Sequence, residues 1–226
     1  MIKKTDYISM VTHEIRNPLT LIYSTLQLIE SKHPEVKQYE HWVDLHHDIN
    51  YMIKLLEELS SYNNSSRLHL KTIDSSYFFR KLALSFASAV TEQKTEFISR
   101  IESDLPFICC DDVKLREVLL NLLFNARDAV SEACNNHTCE NPFIRMNVSA
   151  VSDHLQIIIE DNGCGIPEEH LNNIFEPFVT YKKNGTGLGL AITSSIIQSH
   201  KGTIRVSSVP GSGTAFTLTL PVKQDT

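Results

Sequence analysis

The sequence lacks any apolar run long enough to cross a membrane. No stretch approaches the roughly 18 consecutive apolar residues of a membrane-spanning helix, and no apolar signal segment follows the charged N-terminus MIKKTDYISM. Long basic runs are also missing and the formal net charge is −6, which argues against a nucleic-acid or anionic-membrane surface as the main function. We therefore expect a cytoplasmic protein with no direct membrane span and no nucleic-acid partner.

Cysteine is sparse and has no framework spacing. The chain contains five cysteines, an odd number that fits a reducing compartment better than a disulfide scaffold. Cys134 and Cys139 flank His137 and could suggest a metal knuckle, but no second ligand pair follows. We interpret this stretch as a loop with two free thiols, and we expect Cys109 and Cys110 to fill a strand.

The first 64 residues have the apolar spacing of a helical hairpin. Apolar residues three and four apart run from Ile8 to Ile29, which indicates an amphipathic helix. A turn-like patch, SKHPEVKQ, separates them from a second seam that runs from Trp42 to Leu59. His13 falls on the polar stripe, so we predict that it is exposed. Because two helices alone cannot close a core, we expect a symmetric dimeric four-helix bundle.

After the polar stretch YNNSSR the pattern changes to mixed strands and helices, and we place a domain boundary near Asn64. The second half is therefore predicted to be an α+β domain. Its predicted helices lie at about 75–93, 111–131 and 187–200. Its predicted strands lie near 68–73, 95–101, 143–151, 154–160, 203–208 and 214–221.

One face of the predicted helix 111–131 carries four oxygen-bearing side chains. Glu117, Asn121, Asn125 and Asp128 follow one another at steps of four, four and three residues. Asparagine is a poor residue in the middle of a helix, so two on one face suggest a function. An amide oxygen suits Mg²⁺ beside phosphates, because it is a hard ligand that adds no negative charge. A solvated helix face is the alternative, and this stretch alone favours it.

The segment DNGCGIP follows directly on a predicted strand. Asp161, at the strand end, could accept a hydrogen bond from an exocyclic amine such as that of adenine. Gly163 and Gly165 can take positive φ and let the backbone pass close to a flat ligand. By itself this pattern also fits a turn with an Asx cap.

The segment NGTGLGLAI places three glycines at the start of a predicted helix. Gly185, Gly187 and Gly189 there would let backbone N–H groups and the positive helix end bind phosphate. Lys182 and Lys183 add charge suited to a triphosphate, although a solvated segment would also carry lysines. Each of these three features is a weak or moderate signal by itself. Their order, with a helix suited to Mg²⁺, an aspartate suited to adenine and a glycine loop suited to phosphate, is a much more specific signal.

Five stretches in this order resemble the motifs of bacterial sensor histidine kinase catalytic cores, over nearly the whole chain. HEIRNPLT resembles the H box, NLLFNARDAV the N box, DNGCGIP the G1 box, FEPFVTYK the F box and GTGLGL the G2 box. The resemblance implies a dimerisation and phosphotransfer hairpin over residues 1–64. It implies over residues 65–226 a Bergerat-type α/β sandwich with a mixed sheet, of the kind shared with DNA gyrase, the Hsp90 chaperones and MutL.

The resemblance also implies roles for individual residues of the hairpin. His13 matches the phosphoacceptor and Glu14 the residue that orients or deprotonates it. Asn17, four residues after the histidine, matches the position at which the family supports dephosphorylation of its partner.

In the ATP-binding domain the resemblance implies ATP and Mg²⁺ as cofactors. Asn125 matches the metal ligand, Asn121 its supporting neighbour and Asp161 the adenine contact, whereas Asp128 receives no role. The remaining predicted nucleotide-binding residues are Gly163, Gly165, Lys182, Gly185, Thr186, Gly187, Leu188 and Gly189.

These matches predict a two-component histidine kinase that phosphorylates His13 from ATP and passes the phosphoryl group to an aspartate of a response regulator receiver domain. Phosphatase activity toward that regulator is expected if the chain is bifunctional. Only 12 residues precede His13, so we expect either a separate input protein or a truncated form of a longer kinase.

Two other functions fit the sequence less well. A non-catalytic phosphotransfer or scaffold protein is disfavoured by the intact Asn125, Asp161 and GTGLGL. An ATPase of the gyrase or chaperone type would need a hydrolytic base and would have no reason to present His13.

Overall fold

The computed structural model describes residues 4–90, 95–136, 139, 141–182 and 185–223, and for residues 4–9 it describes the backbone only. The chain forms two compact units, Met1–Asn64 and Ser65–Thr226. Two residues named above, His137 and Lys183, lie outside the described residues. Within the described part of the chain, no helix is both long and apolar enough to span a membrane.

The first unit is the predicted helical hairpin. It consists of α1 (Lys4–Lys32), a 3₁₀ helix (Pro34–Gln38) and α2 (Glu40–Asn64). Pro18 lies inside α1 and does not end it. Leu19 and Leu26 of α1 and Ile49 of α2 are buried, so apolar burial between the two helices holds the hairpin together.

Glu30 joins the two helices near the turn. The indole N–H of Trp42 donates to Glu30 Oε1 at 2.8 Å, and the ammonium of Lys37 lies 3.6 Å from Glu30 Oε2. The hydrogen bond from Trp42 is the main reason why the pKa of Glu30 is lowered. The single tryptophan therefore helps to close the hairpin, in addition to lying on its apolar seam.

The predicted apolar stripe of α1 is only partly buried within one chain. Ile15 is 45% exposed and Ile22 47% exposed, whereas Thr12 is only 2% exposed. On α2, Leu45 and Met52 are also exposed. One neighbouring helix covers only one side of an apolar stripe, so a single hairpin leaves these side chains without an apolar cover.

The second unit contains four helices and seven strands among its described residues. The helices are α3 (Ser75–Val90), α4 (Asp112–Asn135), α5 (Glu168–Leu171) and α6 (Gly189–Ser199). The strands are β1 (Lys71–Ile73), β2 (Glu96–Ile101), β3 (Ile108–Cys110), β4 (Phe143–Val151), β5 (His154–Asp161), β6 (Thr203–Val209) and β7 (Gly213–Pro221).

Five strands form a mixed sheet in the order β2-β4-β5-β7-β6, as the fold prediction requires. Strand β2 is parallel to β4, and the other neighbours are antiparallel. Strands β1 and β3 pair separately as a small antiparallel sheet. Side chains along β4, β5 and β7 alternate between buried and partly exposed, because successive residues of a strand point to opposite faces. Helices α3, α4 and α6 contact the five-stranded sheet and complete an α/β sandwich.

One detail agrees with the sequence predictions, one contradicts them and one was not predicted. Strand β3 contains Cys109 and Cys110, as predicted. The prediction that Cys134 lies in a loop is wrong, because α4 continues past residue 131 and the Asn136 N–H closes its last turn on the Glu132 carbonyl at 3.1 Å. The four-residue helix α5 was not predicted, since so short a segment has no apolar periodicity.

His200 joins the C-terminal end of α6 to the start of α4. Its Nε2 accepts a hydrogen bond from the Asp111 backbone N–H at 3.0 Å, so Nδ1 carries the proton and donates to the Ile196 carbonyl at 2.8 Å. Asp111 caps α4 by accepting from the Lys114 N–H. His200 is fully buried, and burial lowers its pKa. The neutral imidazole is therefore part of the fold.

This burial predicts how stability depends on pH. The unfolded chain takes up a proton at His200 near pH 6.5, whereas the folded chain does so only at lower pH. The contribution of His200 to the free energy of unfolding is therefore fully present above about pH 6.5. It is lost as the pH falls, by at most about 1.4 kcal/mol per pH unit. We expect urea unfolding between pH 7.5 and 5.5 to show a steeper loss for the wild type than for His200→Gln.

Asp161 titrates in part of the same range, but it is present in both proteins and cancels in the difference. If the free energy of unfolding fell equally with pH in the wild type and in His200→Gln, the assigned neutral state of the imidazole would be contradicted.

Candidate functional site

His13 lies on the exposed side of α1, as predicted from the polar stripe. Glu14 is the next residue and is also exposed. The Asn17 side chain, one helical turn further on, places its Nδ2 3.5 Å from His13 Nδ1. This distance is at the outer limit of a hydrogen bond. The structure thus brings Asn17 next to the imidazole and leaves the ring open to a reaction partner.

Asp161 is the last residue of β5 and continues the inward-facing series of that strand. Its partners in the register are Ile144 on β4 and Thr214 on β7, so alternation along the strand places its carboxyl group at the edge of the core. Only 5% of Asp161 is exposed.

Hydrogen bonds and burial together set the state of the Asp161 carboxyl group. The Gly163 N–H donates to its Oδ1 at 2.8 Å. Burial raises the pKa of Asp161 to about 6, although backbone N–H donors from Gly163 and Thr214 oppose this rise. At neutral pH the group is mostly ionised and acts only as an acceptor. It can therefore receive a hydrogen bond from a ligand amine.

Glycine is required at two positions of DNGCGIP for two different structural reasons. Gly165 has a φ of +70°, which glycine adopts without strain. The prediction of positive φ for Gly163 is wrong, since the described positive-φ glycines do not include it. A Cβ at Gly163 would instead lie 2.5 Å from the Ala129 carbonyl carbon of α4. Gly163 is needed because two backbones meet there.

The two asparagines of α4 face the elements predicted to bind phosphate. The Asn121 Nδ2 donates to Thr193 Oγ1 at 3.0 Å, which ties α4 to α6. A Cβ at Gly189 would lie 2.8 Å from Asn121 Oδ1, so glycine at this position allows α6 to start close to α4. Asn125 Oδ1 accepts a hydrogen bond from the Lys182 ammonium at 2.8 Å. Asn121 therefore meets the start of α6, and Asn125 meets the last residue of the F-box stretch.

The glycine loop leads into α6 as a tight turn. Helix α6 begins at Gly189, and of the loop glycines only Gly187 has positive φ, at +71°. Its carbonyl accepts the Phe178 N–H at 2.9 Å. Thr186 and Leu188 are buried, which anchors the loop on the core. The Gly185 N–H donates to the Lys182 carbonyl at 3.1 Å.

Sequence reasoning missed residues that support this loop. Thr193 holds Asn121, and nothing in its local pattern marks it. Tyr181 stacks on His170 of α5, with ring centroids 3.5 Å apart and an interplanar angle of 9°, and so holds the segment before Lys182. Phe178 has a φ of +67°, an unusual value for a bulky residue. Only its place in the F-box stretch could have drawn attention to it.

The donor set fits a magnesium ion that is held mainly by its nucleotide. Among the described residues, no group of three or more His, Cys, Asp or Glu side chains is placed to hold a metal ion. Mg²⁺ beside phosphates is commonly bound by one or two protein oxygens, with phosphates and water as its other ligands. Asn125 Oδ1 already faces the Lys182 ammonium, so its oxygen is turned toward a cation.

Two family models match the chain at its two ends. The His Kinase A (phospho-acceptor) domain matches residues 3–66. The family described as histidine kinase-, DNA gyrase B-, and HSP90-like ATPase matches residues 110–224.

A curated relative and two solved structures are similar over most of the chain. The signal transduction histidine-protein kinase AtoS of Escherichia coli (strain K12) is 35% identical over 213 residues, which are 94% of this chain and 34% of AtoS. Full-length ShkA in complex with AMPPNP matches with a TM-score of 0.78 at 24% identity, over 97% of this chain and 46% of ShkA. Histidine kinase ThkA in complex with response regulator TrrA matches with a TM-score of 0.66 at 23% identity, over 96% of this chain and 61% of that chain.

The two structural matches show a shared fold, and the chain spans about a third of the length of AtoS. The match to AtoS and the two family models agree on one kind of protein. The chain therefore belongs to the sensor histidine kinase family, of which it represents a catalytic core.

Proposed function

We propose that this chain is an ATP-dependent protein histidine kinase of a two-component system. It phosphorylates His13 and passes the phosphoryl group to an aspartate of a response regulator receiver domain. One domain contains both the buried carboxylate of Asp161 and an amide oxygen of Asn125 that faces a cation. This observation carries the proposal. We assign dimerisation and phosphotransfer to residues 1–64 and ATP binding to residues 65–226.

The ATP-binding domain would hold the nucleotide at both ends. Asp161 would accept the hydrogen bond of the adenine amine, with Gly165, which has positive φ, allowing the ring to lie close to the backbone. Backbone N–H groups of the loop Gly185–Gly189 and the Lys182 ammonium would contact the phosphates. Asn125 would ligate Mg²⁺, which when bound supplies positive charge to neutralise the phosphates. Asn121 keeps α4 and α6 in register for this contact.

On the hairpin, His13 acts as the nucleophile in its neutral form. A lone pair of one ring nitrogen attacks the γ-phosphorus, while the bond from this phosphorus to the bridging oxygen breaks and ADP leaves. Glu14 orients the ring or takes up the proton of the other ring nitrogen. In the second step a carboxylate oxygen of the regulator attacks the phosphorus and the bond from phosphorus to the His13 ring nitrogen breaks. The ring leaves as neutral imidazole, with its other nitrogen keeping its proton or regaining it from Glu14.

Several observations support the partners of this reaction. The solved complex of ThkA with TrrA joins a protein of this fold to a response regulator, and that of ShkA contains an ATP analogue. Asn17 lies close enough to His13 to position a water molecule there, so we assign it to phosphatase activity toward the regulator.

The five free cysteines fit a cytoplasmic, reducing location. A separate input protein stays a prediction from the sequence.

The phosphoacceptor can be tested by labelling with γ-labelled ATP. We expect the wild type to take up label in an acid-labile, base-stable bond, because a phosphoramidate is hydrolysed by acid. His13→Gln should remove this label. His41→Gln, which changes an exposed histidine of the same hairpin, should keep it. Label that persists in His13→Gln, or that resists acid, would show that another residue is phosphorylated.

The adenine contact can be tested by calorimetric titration with ATP at pH 7.5. Asp161→Asn should weaken binding by about 1 to 3 kcal/mol, because an amide N–H₂ replaces one acceptor oxygen in a buried site. Since the pKa of Asp161 is about 6, wild-type affinity should also fall more steeply between pH 7.5 and 5.5 than that of the variant.

Glu160→Gln is the matched control for this titration. Glu160 precedes Asp161 on β5, and alternation along the strand turns it to the opposite face, where it pairs with Arg145. The control should bind ATP like the wild type. Equal affinity of Asp161→Asn and wild type would mean that the adenine lies elsewhere.

The exposed apolar side chains of the hairpin support a homodimer. Leu45, Met52 and Leu59 recur every seven residues on α2, and the first two are 41% and 40% exposed within one chain. We expect light scattering at about 50 µM, a concentration above typical dimer dissociation constants, to give the mass of a dimer. Leu45→Glu with Met52→Glu should give monomers. Leu84→Glu, at an exposed site on α3, should not, and a monomeric wild type would exclude the four-helix bundle.

A further inference from the structure

Asp128 lies on the polar face of α4, and neither the motifs nor the proposed reaction give it a role. It lies three residues after Asn125 and therefore on the same side of the helix. Its Oδ2 is 3.5 Å from the Lys182 ammonium, and the same ammonium donates to Asn125 Oδ1 at 2.8 Å. One cation from the segment before the glycine loop thus bridges two oxygens of α4.

The other oxygen of Asp128 is held by the neighbouring arginine. Asp128 Oδ1 accepts from Arg127 Nε at 3.1 Å and from Arg127 Nη2 at 2.8 Å. The guanidinium group of Arg127 in turn lies over the Phe124 ring, with Cζ 4.8 Å from the ring centroid. These contacts restrict the carboxylate, so that Oδ2 is the oxygen presented to Lys182.

The contact contributes little to folding as an ion pair. The Lys182 and Asp128 side chains are 48% and 46% exposed, and exposed pairs of this kind are weak because water and salt screen them. What the contact can do is restrict the position of a long, flexible side chain. A lysine ammonium has three N–H donors, so one donor remains for a phosphate oxygen when the other two are engaged.

We propose that Asp128 is a positioning residue for nucleotide binding, which holds the Lys182 ammonium beside Asn125. A metal ion on Asn125 Oδ1 and the ammonium now in contact with that oxygen would exclude each other. Asp128 is the group that keeps the displaced ammonium within reach of the phosphates. This inference rests on the proposed function, because it takes the phosphate end of a nucleotide as the ligand of this region.

The opposite expectation follows from charge alone. A carboxylate near a triphosphate repels it, so removing the negative charge of Asp128 would strengthen binding if the side chain had no positioning role. The sign of the effect therefore separates the two explanations.

The experiment measures the affinity of the full chain for AMPPNP with Mg²⁺ by calorimetry. We expect Asp128→Asn to weaken binding roughly two- to fivefold and Asp128→Glu, which keeps a carboxylate, to restore it largely. Lys182→Gln should weaken binding as well. The double variant should bind no more weakly than Lys182→Gln, because Asp128 acts through that lysine.

Glu132→Gln is the matched control. It removes the same charge one turn further along α4, where Glu132 contacts Cys164 and not Lys182. It should leave affinity unchanged or raise it slightly. Affinity that rises in Asp128→Asn as in this control, or losses that add in the double variant, would overturn the proposal.

The outcome is distinguishable from a failure of the proposed function. A wild type that binds AMPPNP but does not label His13 would contradict the kinase reaction and leave the test of Asp128 valid. A wild type that does not bind AMPPNP would overturn both. A wild type that binds and labels, with Asp128→Asn unchanged in affinity, would overturn only the role of Asp128.

Discussion

The close approach of β5 to α4 is the constraint on which the ATP-binding domain depends. The Cys164 N–H donates to the Ala129 carbonyl at 3.2 Å, and at Gly163 there is no room for a side chain beside the α4 backbone. This contact places Asp161, at the end of β5, beside the same helix that carries Asn121 and Asn125. A larger residue at position 163 would push the strand end away from α4. Asp161 and Asn125, which we propose bind adenine and Mg²⁺, would then separate.

Helix α4 links the core to the site because one side packs against the sheet and the other side carries the polar groups. Its apolar residues, including Leu119 and Leu122, are buried and fix the helix against the sheet through apolar burial. Its polar side meets Thr193 on α6 and Lys182 before the glycine loop. The rigid packing of one side thus determines the positions of the polar groups on the other. On the hairpin the proposed phosphoacceptor His13 is instead exposed.

Much of the fold could be predicted from periodicity. The alternation along β5 and the three-four spacing of α1, α2 and α4 are local properties, and these elements lie close to where they were expected. The predictions failed at one long-range contact, at one helix end and at one very short helix. Glycine at position 163 was attributed to positive φ, but a neighbouring helix that is distant in sequence is the reason. Cys134 was placed in a loop, although its helix continues for a further turn. The four-residue α5 gave no periodic signal, although its His170 stacks on Tyr181.

The order of residues and their periodicity specify which chemical groups are present and on which helix face or strand end each of them lies. They therefore predict the exposed His13, the carboxylate at the end of β5 and the glycine loop before α6. Which of these groups meet depends instead on how the elements pack in three dimensions. Lys182 lies 57 residues from Asn125 and 54 from Asp128, and Asp111 lies 89 residues from His200. Helical and strand periodicity extends over a few turns, whereas such contacts depend on how separate elements pack, and burial of Asp161 beside α4 depends on the same packing.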